Sequence, residues 1–350
     1  MYYPIYIKEY LIYDVYHNDL NQIVVVRPNE GKCINIEYNN IKFIKYECRH
    51  GQGKVFVLPN EVEYKEKITL KINNIERETR VNKYPVFKNE IILSTMVKNE
   101  DTYIKQWINY HLHIGVNKMI IYDNADIIDN LSYESIETKS NLSEILKTYI
   151  DEKKVILIKW SYLKRYSRMG NPNGQTTQQC HSINAFKKTK LIGLFDIDEY
   201  VNIQKETNIH KFFDDYIKVN NCDLNNIGGF LLKCKFFFNN NNLPVNDYLF
   251  LNIFDSGDLI EPLKDGHGKL FVQPCNVNTV SVHKITNGKA MHVMLNNLIY
   301  FNHYIFLNKP KDLHKRYKSG HNKLDNTILE NAGALIKLSN NDIIRFKKMR

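Results

Sequence analysis

Between residues 91 and 203 the chain repeats one pattern: a short apolar run that ends on polar residues, followed by a longer segment with helical spacing. The apolar runs are IILSTMV at 91–97, MIIY at 119–122, VILIKW at 155–160 and LIGLF at 191–195. Each is apolar at successive positions, so both faces of an extended strand would be covered. That is the signature of parallel strands inside an α/β sheet, with helices on both faces. The intervening segments fit. In TYIKQWINYHLHIGV, 102–116, Ile104, Trp107, Ile108, Leu112 and Ile114 or Val116 recur at three- and four-residue steps. Polar residues 99–102 offer capping groups at its start, and Gly115 can stop it. QTTQQCHSINAFKKTK, 175–190, reads as another helix, and a polar stretch at about 132–150 as one more.

The rest of the chain is β-like. IVVV (23–26), CINIEY (33–38), KVFVL (54–58) and KITLKI (67–72) alternate with the turn-forming RPNEG, NN, RHGQG and PNE. They predict a small antiparallel β unit over residues 1–85, set off by the polar, Pro85-containing segment 82–90 from a larger domain over 86–350. Plain packing is the expected role of that unit, with a glycan- or partner-binding module as the alternative. Beyond residue 205, GGFLLKCKFFF (228–238), YLFLNIF (248–254), KLFVQP, TVSVHKI and the long run at 291–307 read as strands, and 309–320 as a short basic helix.

Composition narrows the partners. With 43% hydrophobic and 25% charged residues in 350, the chain is an ordinary packed protein. Its formal charge of +10 favours anionic ligands. The basic residues, however, are interspersed with acidic ones and form no arm of the kind that grips nucleic acid, so no nucleic-acid partner is expected. Abundant Asn, Ile, Lys and Tyr, all written with A/T-rich codons, account for much of that charge. The six cysteines show no CxxC pair and no zinc spacing, and read as reduced thiols. No apolar signal core opens the chain and no run of about 18 apolar residues occurs. A cytoplasmic protein without a transmembrane segment is the expectation.

Chemistry is concentrated at the strand ends. The runs finish on Lys98-Asn99-Glu100, on Asp123-Asn124 and on Asp196-Ile197-Asp198-Glu199. In an open α/β sheet these ends share one edge, where ligands sit. Asp196 and Asp198 point to the same side of an extended backbone, and adjacent carboxylates repel unless a cation lies between them. Oxygen ligands of this kind suit Mg²⁺ or Mn²⁺, which also coordinate a diphosphate. The bland alternative is a solvated acidic turn. A dehalogenase-like phosphatase would need Thr where Tyr200 stands, and a metal-dependent exonuclease would carry Glu in place of Asp198.

Four ordered blocks resemble a known family. STMVKNEDTYIKQWINYHLHIGVNKMIIYDNAD, GLFDIDEYVNI, KLFVQPCNVNTVSVH and FNHYIFLNKPKDLHKRYKSG together are similar to glycosyltransferase family 92 and related family 2-like enzymes, over residues 90–320. The resemblance implies a GT-A fold, a nucleotide-sugar donor, with a UDP-hexose the family-level expectation, and transfer with inversion to a glycan, protein or small-molecule acceptor. By position it implies donor contacts from Lys98, Asn99, Glu100, Asp123, Asn124, Gln179, Asn184 and Asp196. It implies Mn²⁺ or Mg²⁺ on Asp196 and Asp198, with His283 or His303 completing the metal shell and His283 slightly preferred. Glu199 would orient or shape that edge, and Trp107, Tyr110 and His111 would pack. Inversion needs a general base. Asparagines 239–242 replace the Gly-Ser-rich turn of relatives, so Asp255, Asp258, Glu261 and Asp265 stand as unranked candidates. Two other readings remain: an inactive relative that binds glycans or proteins, and a metal-dependent nuclease or phosphatase built on the Asp196/Asp198 cluster.

Overall fold

The computed structural model describes residues 1–5, 7–10, 12–28, 33–48, 53–98, 101–125, 140–160, 174–204, 206–238, 255–260, 267–293, 297–304, 323–324 and 327–332. The N-terminal strands are β1 (Asp14–His17), β2 (Ile23–Pro28), β3 (Ile36–Tyr38), β4 (Ile41–Lys42), β5 (Ile44–Glu47), β6 (Gly53–Val57), β7 (Lys67–Ile72), β8 (Ile75–Arg80) and β9 (Asn82–Lys83). They form a sheet ordered β5-β6-β2-β1-β9 and another ordered β4-β3-β7-β8. Asn39, Asn40, Asn73 and Asn74 take positive φ at the NN turns, the conformation that tight hairpins demand.

The unbroken IVVV run has a physical reason. Ile23 and Val25 face the second sheet, packing in one core with Ile36, Leu70 and Ile72. Val24 and Val26 face the other way, into a core shared with Ile92, Ile120, Cys180 and Ile183. The first sheet is therefore buried on both faces, and its outer core belongs equally to the residues after 86. It is also not purely antiparallel, because β1 runs parallel to β9.

The second part begins with β10 (Ile91–Val97), α1 (Asp101–His113), β11 (Lys118–Asp123), α2 (Leu142–Ile145), α3 (Lys147–Asp151), β12 (Val155–Lys159), α4 (Gln175–Ala185) and β13 (Leu191–Leu194). Gly115, at φ +97°, ends α1, and a Cβ there would lie 2.8 Å from Asn208 Nδ2. The strands lie in the order β12-β11-β10-β13, all parallel. The chain thus steps outward from β10 to β12 and then returns to the other side of β10. A topological switch point falls between β10 and β13, and the crevice at their carboxyl ends is where such sheets bind ligands.

There follow β14 (Glu199–Ile203), α5 (Ile209–Val219), β15 (Gly229–Phe238), β16 (Asp255–Ile260), β17 (Lys269–Val272), β18 (Val277–Ser281), β19 (Lys284–Gly288), β20 (Met291–Val293), β21 (Ile299–Tyr304), β22 (Lys323–Leu324) and α6 (Ile328–Ala332). Here the expectation of a mostly parallel sheet is corrected. β13, β17, β15, β16 and β22 pair antiparallel in turn, and the sheet as a whole is mixed. Parallel neighbours need a crossover, usually helical, whereas antiparallel ones need only a chain reversal. Among the described residues α5 is the only α-helix between β14 and β21, so most returns there are made without one. The strand expected at 248–254 and the helix expected at 309–320 lie outside the described residues.

Successive residues of the parallel strands feed opposite cores. Ile91, Leu93 and Val97 pack with Ile104, Trp107 and Phe213 of α1 and α5. Ile92, Ile158 and Leu194 pack with α4 and the N-terminal sheet. Polar contacts join the two parts as well. Asp14 Oδ1 accepts from the backbone N–H of Ile5 and Val15 and from Asn82 Nδ2, while Oδ2 accepts from Tyr84 Oη at 2.7 Å. The same Oδ2 lies 3.0 Å from His181 Nε2 on α4, and His181 Nδ1 is 2.8 Å from Tyr122 Oη. Gly53 sits so close to α4 that a Cβ there would lie 2.4 Å from Thr177 Oγ1. No helix among the described residues is long and apolar enough to cross a membrane.

Candidate active site

The acidic segment follows β13 at the switch point. Its backbone turns on itself, with Glu199 N–H donating to the Asp196 carbonyl at 3.1 Å, and then enters β14. Asp196 N–H donates to Glu199 Oε2 at 3.0 Å, which folds the buried Glu199 carboxylate back under the turn. The register of β14 against β21 sets Glu199 opposite His303. As a result the candidate ligand atoms of Asp198, Glu199 and His303 all lie within 4.8 Å of one another.

A buried lysine holds this cluster. β17 runs antiparallel to β13, and its first residue, Lys269, lies beside the turn. Its Nζ is 2.7 Å from Asp196 Oδ2 and 3.0 Å from Glu199 Oε2. Burial opposes the charge on Lys269, but the two carboxylates outweigh it and hold the ammonium above its ordinary value. Burial also pushes the Glu199 carboxyl up, with Lys269 pulling it back. The other Asp196 oxygen, Oδ1, accepts from Gln175 Nε2 at 2.7 Å, from the first residue of α4.

His303 approaches the turn from β21. Its Nε2 is 3.4 Å from Asp198 Oδ2, an ion-pair contact not aligned as a hydrogen bond, and no hydrogen bond satisfies that buried nitrogen. Burial disfavours its charged form, yet Asp198 and Glu199 hold its pKa above the usual histidine value. His283 Nδ1 lies 2.8 Å from the carbonyl of Gly268, the residue before Lys269; burial lowers its pKa to about 4, with Lys269 and Asp196 among the charges that act on it.

The other expected site residues fall in three places. Lys98 directly follows β10, partly buried, and Asn124 N–H donates to the Val97 carbonyl, so both sit at the switch-point edge. Asp123 is buried there, its Oδ2 2.7 Å from Lys159 Nζ and its Oδ1 accepting from Ala125 N–H. Farther along α4, Gln179 is buried with Oε1 unbonded, and Asn184 donates to the carbonyls of Cys180 and Asn278. Asn184 is thus tied to the helix and to β18, whereas Gln175 is the helix residue that reaches the acidic turn. Asp255 and Asp258 lie on β16. Asn99, Glu100, Glu261 and Asp265 lie outside the described residues.

Lys269 and Gln175 were the residues missed. A lysine opening an otherwise apolar strand, and a glutamine opening a helix that leads to the acidic strand, were the available signals. Trp107, Tyr110 and His111 pack in the core as expected, and they also bind the site strand. Trp107 Nε1 donates to the Glu199 carbonyl at 2.8 Å and Tyr110 Oη to the Val201 carbonyl at 2.6 Å. His111 Nε2 accepts from Val201 N–H at 3.2 Å while Nδ1 lies 2.8 Å from the Trp107 carbonyl.

His111 therefore uses both nitrogens as a neutral ring, and burial lowers its pKa to about 3. A folded-state pKa below the unfolded one means that its stabilisation is full above the unfolded value and drains as pH falls through it. Between pH 7 and 5 this group is expected to cost about 2 kcal/mol of unfolding free energy. Urea unfolding at both pH values checks this: a His111→Gln variant that folds should lose about that much less between them. An unchanged pH difference would overturn the assignment.

A family model for glycosyltransferase family 92 matches residues 92–332. A glycosyltransferase family 92 protein of Ricinus communis is 25% identical over 151 residues, 42% of this chain and 23% of that protein. Another, of Arabidopsis thaliana, is 26% identical over 114 residues, 32% of this chain and 16% of that protein. These alignments span less than a quarter of each relative's length. With the family model covering more than half of its residues, and the acidic turn, Lys269 and His303 inside the matched span, the chain belongs to glycosyltransferase family 92.

Proposed function

We propose that the chain is a metal-dependent glycosyltransferase that moves a hexose from a UDP-sugar to a hydroxyl of a glycan, protein or small-molecule acceptor, with inversion, on a GT-A frame. The observation that carries this reading is the convergence of Asp198, Glu199 and His303, with ligand atoms within 4.8 Å, beside the switch point. Carboxylate oxygens and one imidazole suit Mn²⁺ or Mg²⁺, and the buried His303 Nε2 without a hydrogen bond has a lone pair or proton still to be used. Asp198 and His303 would hold such an ion, with Glu199 beside them. When bound, it supplies Lewis-acid stabilisation of charge on the leaving diphosphate.

The chain's own residues do the positioning. Lys269 compensates Asp196 and Glu199, so that the acidic turn stays compact while Asp198 lies against His303. Gln175 fixes the remaining oxygen of Asp196. Lys98 and Asn124, at the neighbouring strand ends, would border the donor, with Asn99, Glu100 and Asp123 completing that edge. A carboxylate among Asp255, Asp258, Glu261 and Asp265 would take the acceptor proton.

Thermal unfolding with nucleotides tests the reading. UDP plus Mn²⁺ is expected to stabilise the protein by about 2.7 kcal/mol at a hundredfold excess over its dissociation constant. The gain should vanish without metal and in a folded Asp198→Asn variant. A panel of UDP-, GDP- and CMP-linked sugars, read by slow donor hydrolysis, names the donor. If no nucleotide stabilises the protein, the transferase reading fails. Metal-dependent cleavage of nucleic acid or phosphate esters, lost in the same variant, would replace it with water-activating chemistry.

A further inference from the structure

A row of rings extends from the acidic turn toward the far side of the sheet. Strand order places β10 and β11 on one side of the turn that follows β13, and β17 and β15 on the other. Because β17 runs antiparallel to β13, with Leu270 opposite Leu194, the chain entering β17 passes alongside the turn. His267 lies on that entering stretch, two residues before the Lys269 that reaches Asp196 and Glu199. On β15, Phe236 stands opposite His303 in the parallel register with β21. The Phe236 ring is 5.2 Å from the ring of His303 and 5.4 Å from that of His267, and His283 stands edge-on to His267 at 6.3 Å. His303 and His267 are thus partly exposed imidazoles on either side of one buried phenyl ring. That interval is about the width of a six-membered sugar.

We infer, on the transferase reading, that His267 rather than one of the four candidate carboxylates takes the proton of the attacking hydroxyl. With the donor nucleotide bordered by Lys98 and Asn124 at the ends of β10 and β11, and its diphosphate at the turn, the transferred sugar and the acceptor extend toward β17 and β15. An inverting displacement needs its base on the face of the sugar opposite the leaving group. His267 enters β17, the strand paired with β13, whereas Asp255 and Asp258 are on β16, two strands farther along the sheet. Imidazole is also the side chain most often used for such proton transfers. In the step, the acceptor O–H bond breaks and its proton passes to the imidazole, while the oxygen bonds to the anomeric carbon. The bond from that carbon to the diphosphate breaks with its electron pair leaving on UDP, and the imidazolium afterwards gives its proton to water.

Donor hydrolysis, in which water is the acceptor, tests this on the full chain with Mn²⁺ and the UDP-sugar that the wild type hydrolyses fastest. His267→Ala and His267→Gln should lower its kcat by about a hundredfold or more, while UDP with Mn²⁺ stabilises both variants as it does the wild type. Azide is an anionic nucleophile with no proton to lose. It should restore UDP release in His267→Ala and yield a glycosyl azide of configuration opposite to the donor's, whereas a residue that only packs the turn would gain nothing from it. Hydrolysis within about threefold of the wild type in both variants, or a loss that azide leaves unrepaired while UDP still binds, would overturn the proposal. Azide rescue of Asp258→Asn or Asp265→Asn in place of His267→Ala would return the role to a carboxylate. A wild type that binds UDP yet hydrolyses no donor would also count against it, since an imidazole set to take a hydroxyl proton serves water too. Failure of the transferase reading looks different: no nucleotide then stabilises the wild type, and both fall together.

Discussion

Replacing Lys269 by methionine is expected to lower the unfolding free energy by about 3–5 kcal/mol, the usual cost of removing one partner from a buried ion pair. Lys269 and Glu199 are 3% and 1% exposed, so water cannot replace the lost ammonium. Asp196, at 38%, can turn toward solvent, and most of the penalty falls on Glu199. The double variant Lys269→Met/Glu199→Gln should therefore recover a large part of the loss, since a neutral amide needs no counter-charge. Urea unfolding of the three proteins against the wild type measures it. A single-variant loss under about 1 kcal/mol, or a double variant no better than the single one, would show that the lysine is not the counter-charge of the turn.

The second large effect concerns the N-terminal unit. The chain cut to residues 86–350 is expected to lack a cooperative unfolding transition and to expose the face of α4 that carries Cys180 and Ile183. That face packs against Val24, Val26, Val55 and Val57, whose removal uncovers a core rather than a surface. In the full chain, Asp14→Ala removes an acceptor of Tyr84, Asn82 and two backbone N–H groups, and leaves His181 Nε2 without its partner. A loss of about 3–5 kcal/mol is expected. Circular dichroism and urea titration decide both. If residues 86–350 alone unfold cooperatively with the stability of the full chain, the shared core contributes nothing of consequence.

The sequence was most informative where local pattern and tertiary burial agree. Strands β10 to β13 are apolar throughout because two cores receive their alternate residues, and α1 shows its period because one side faces β14. The position of the acidic turn was legible for the same reason. The partners of that turn were not, because they arrive by pairing across long sequence separations. Lys269 comes from a strand 73 residues beyond Asp196, and only the β13–β17 register brings them together. The approach of His303 to the turn was equally invisible, since nothing local in that histidine reports the β14–β21 register that sets it against Glu199. β8 escaped because IERETR, a mostly exposed edge strand, buries Thr79 and little else.

The bonds from α1 to β14 have a further consequence. Trp107, Tyr110 and His111 grip the carbonyls of Glu199 and Val201 and the amide of Val201, which every residue type except proline supplies. The scaffold thus fixes where the strand runs and leaves open which side chains it displays. A lineage built on this frame can exchange the chemistry of residues 198 and 199 one substitution at a time, while Tyr200 stays packed in the core beside Tyr110 and His111. The same grip makes α1 unforgiving: its loss would move every group the strand carries.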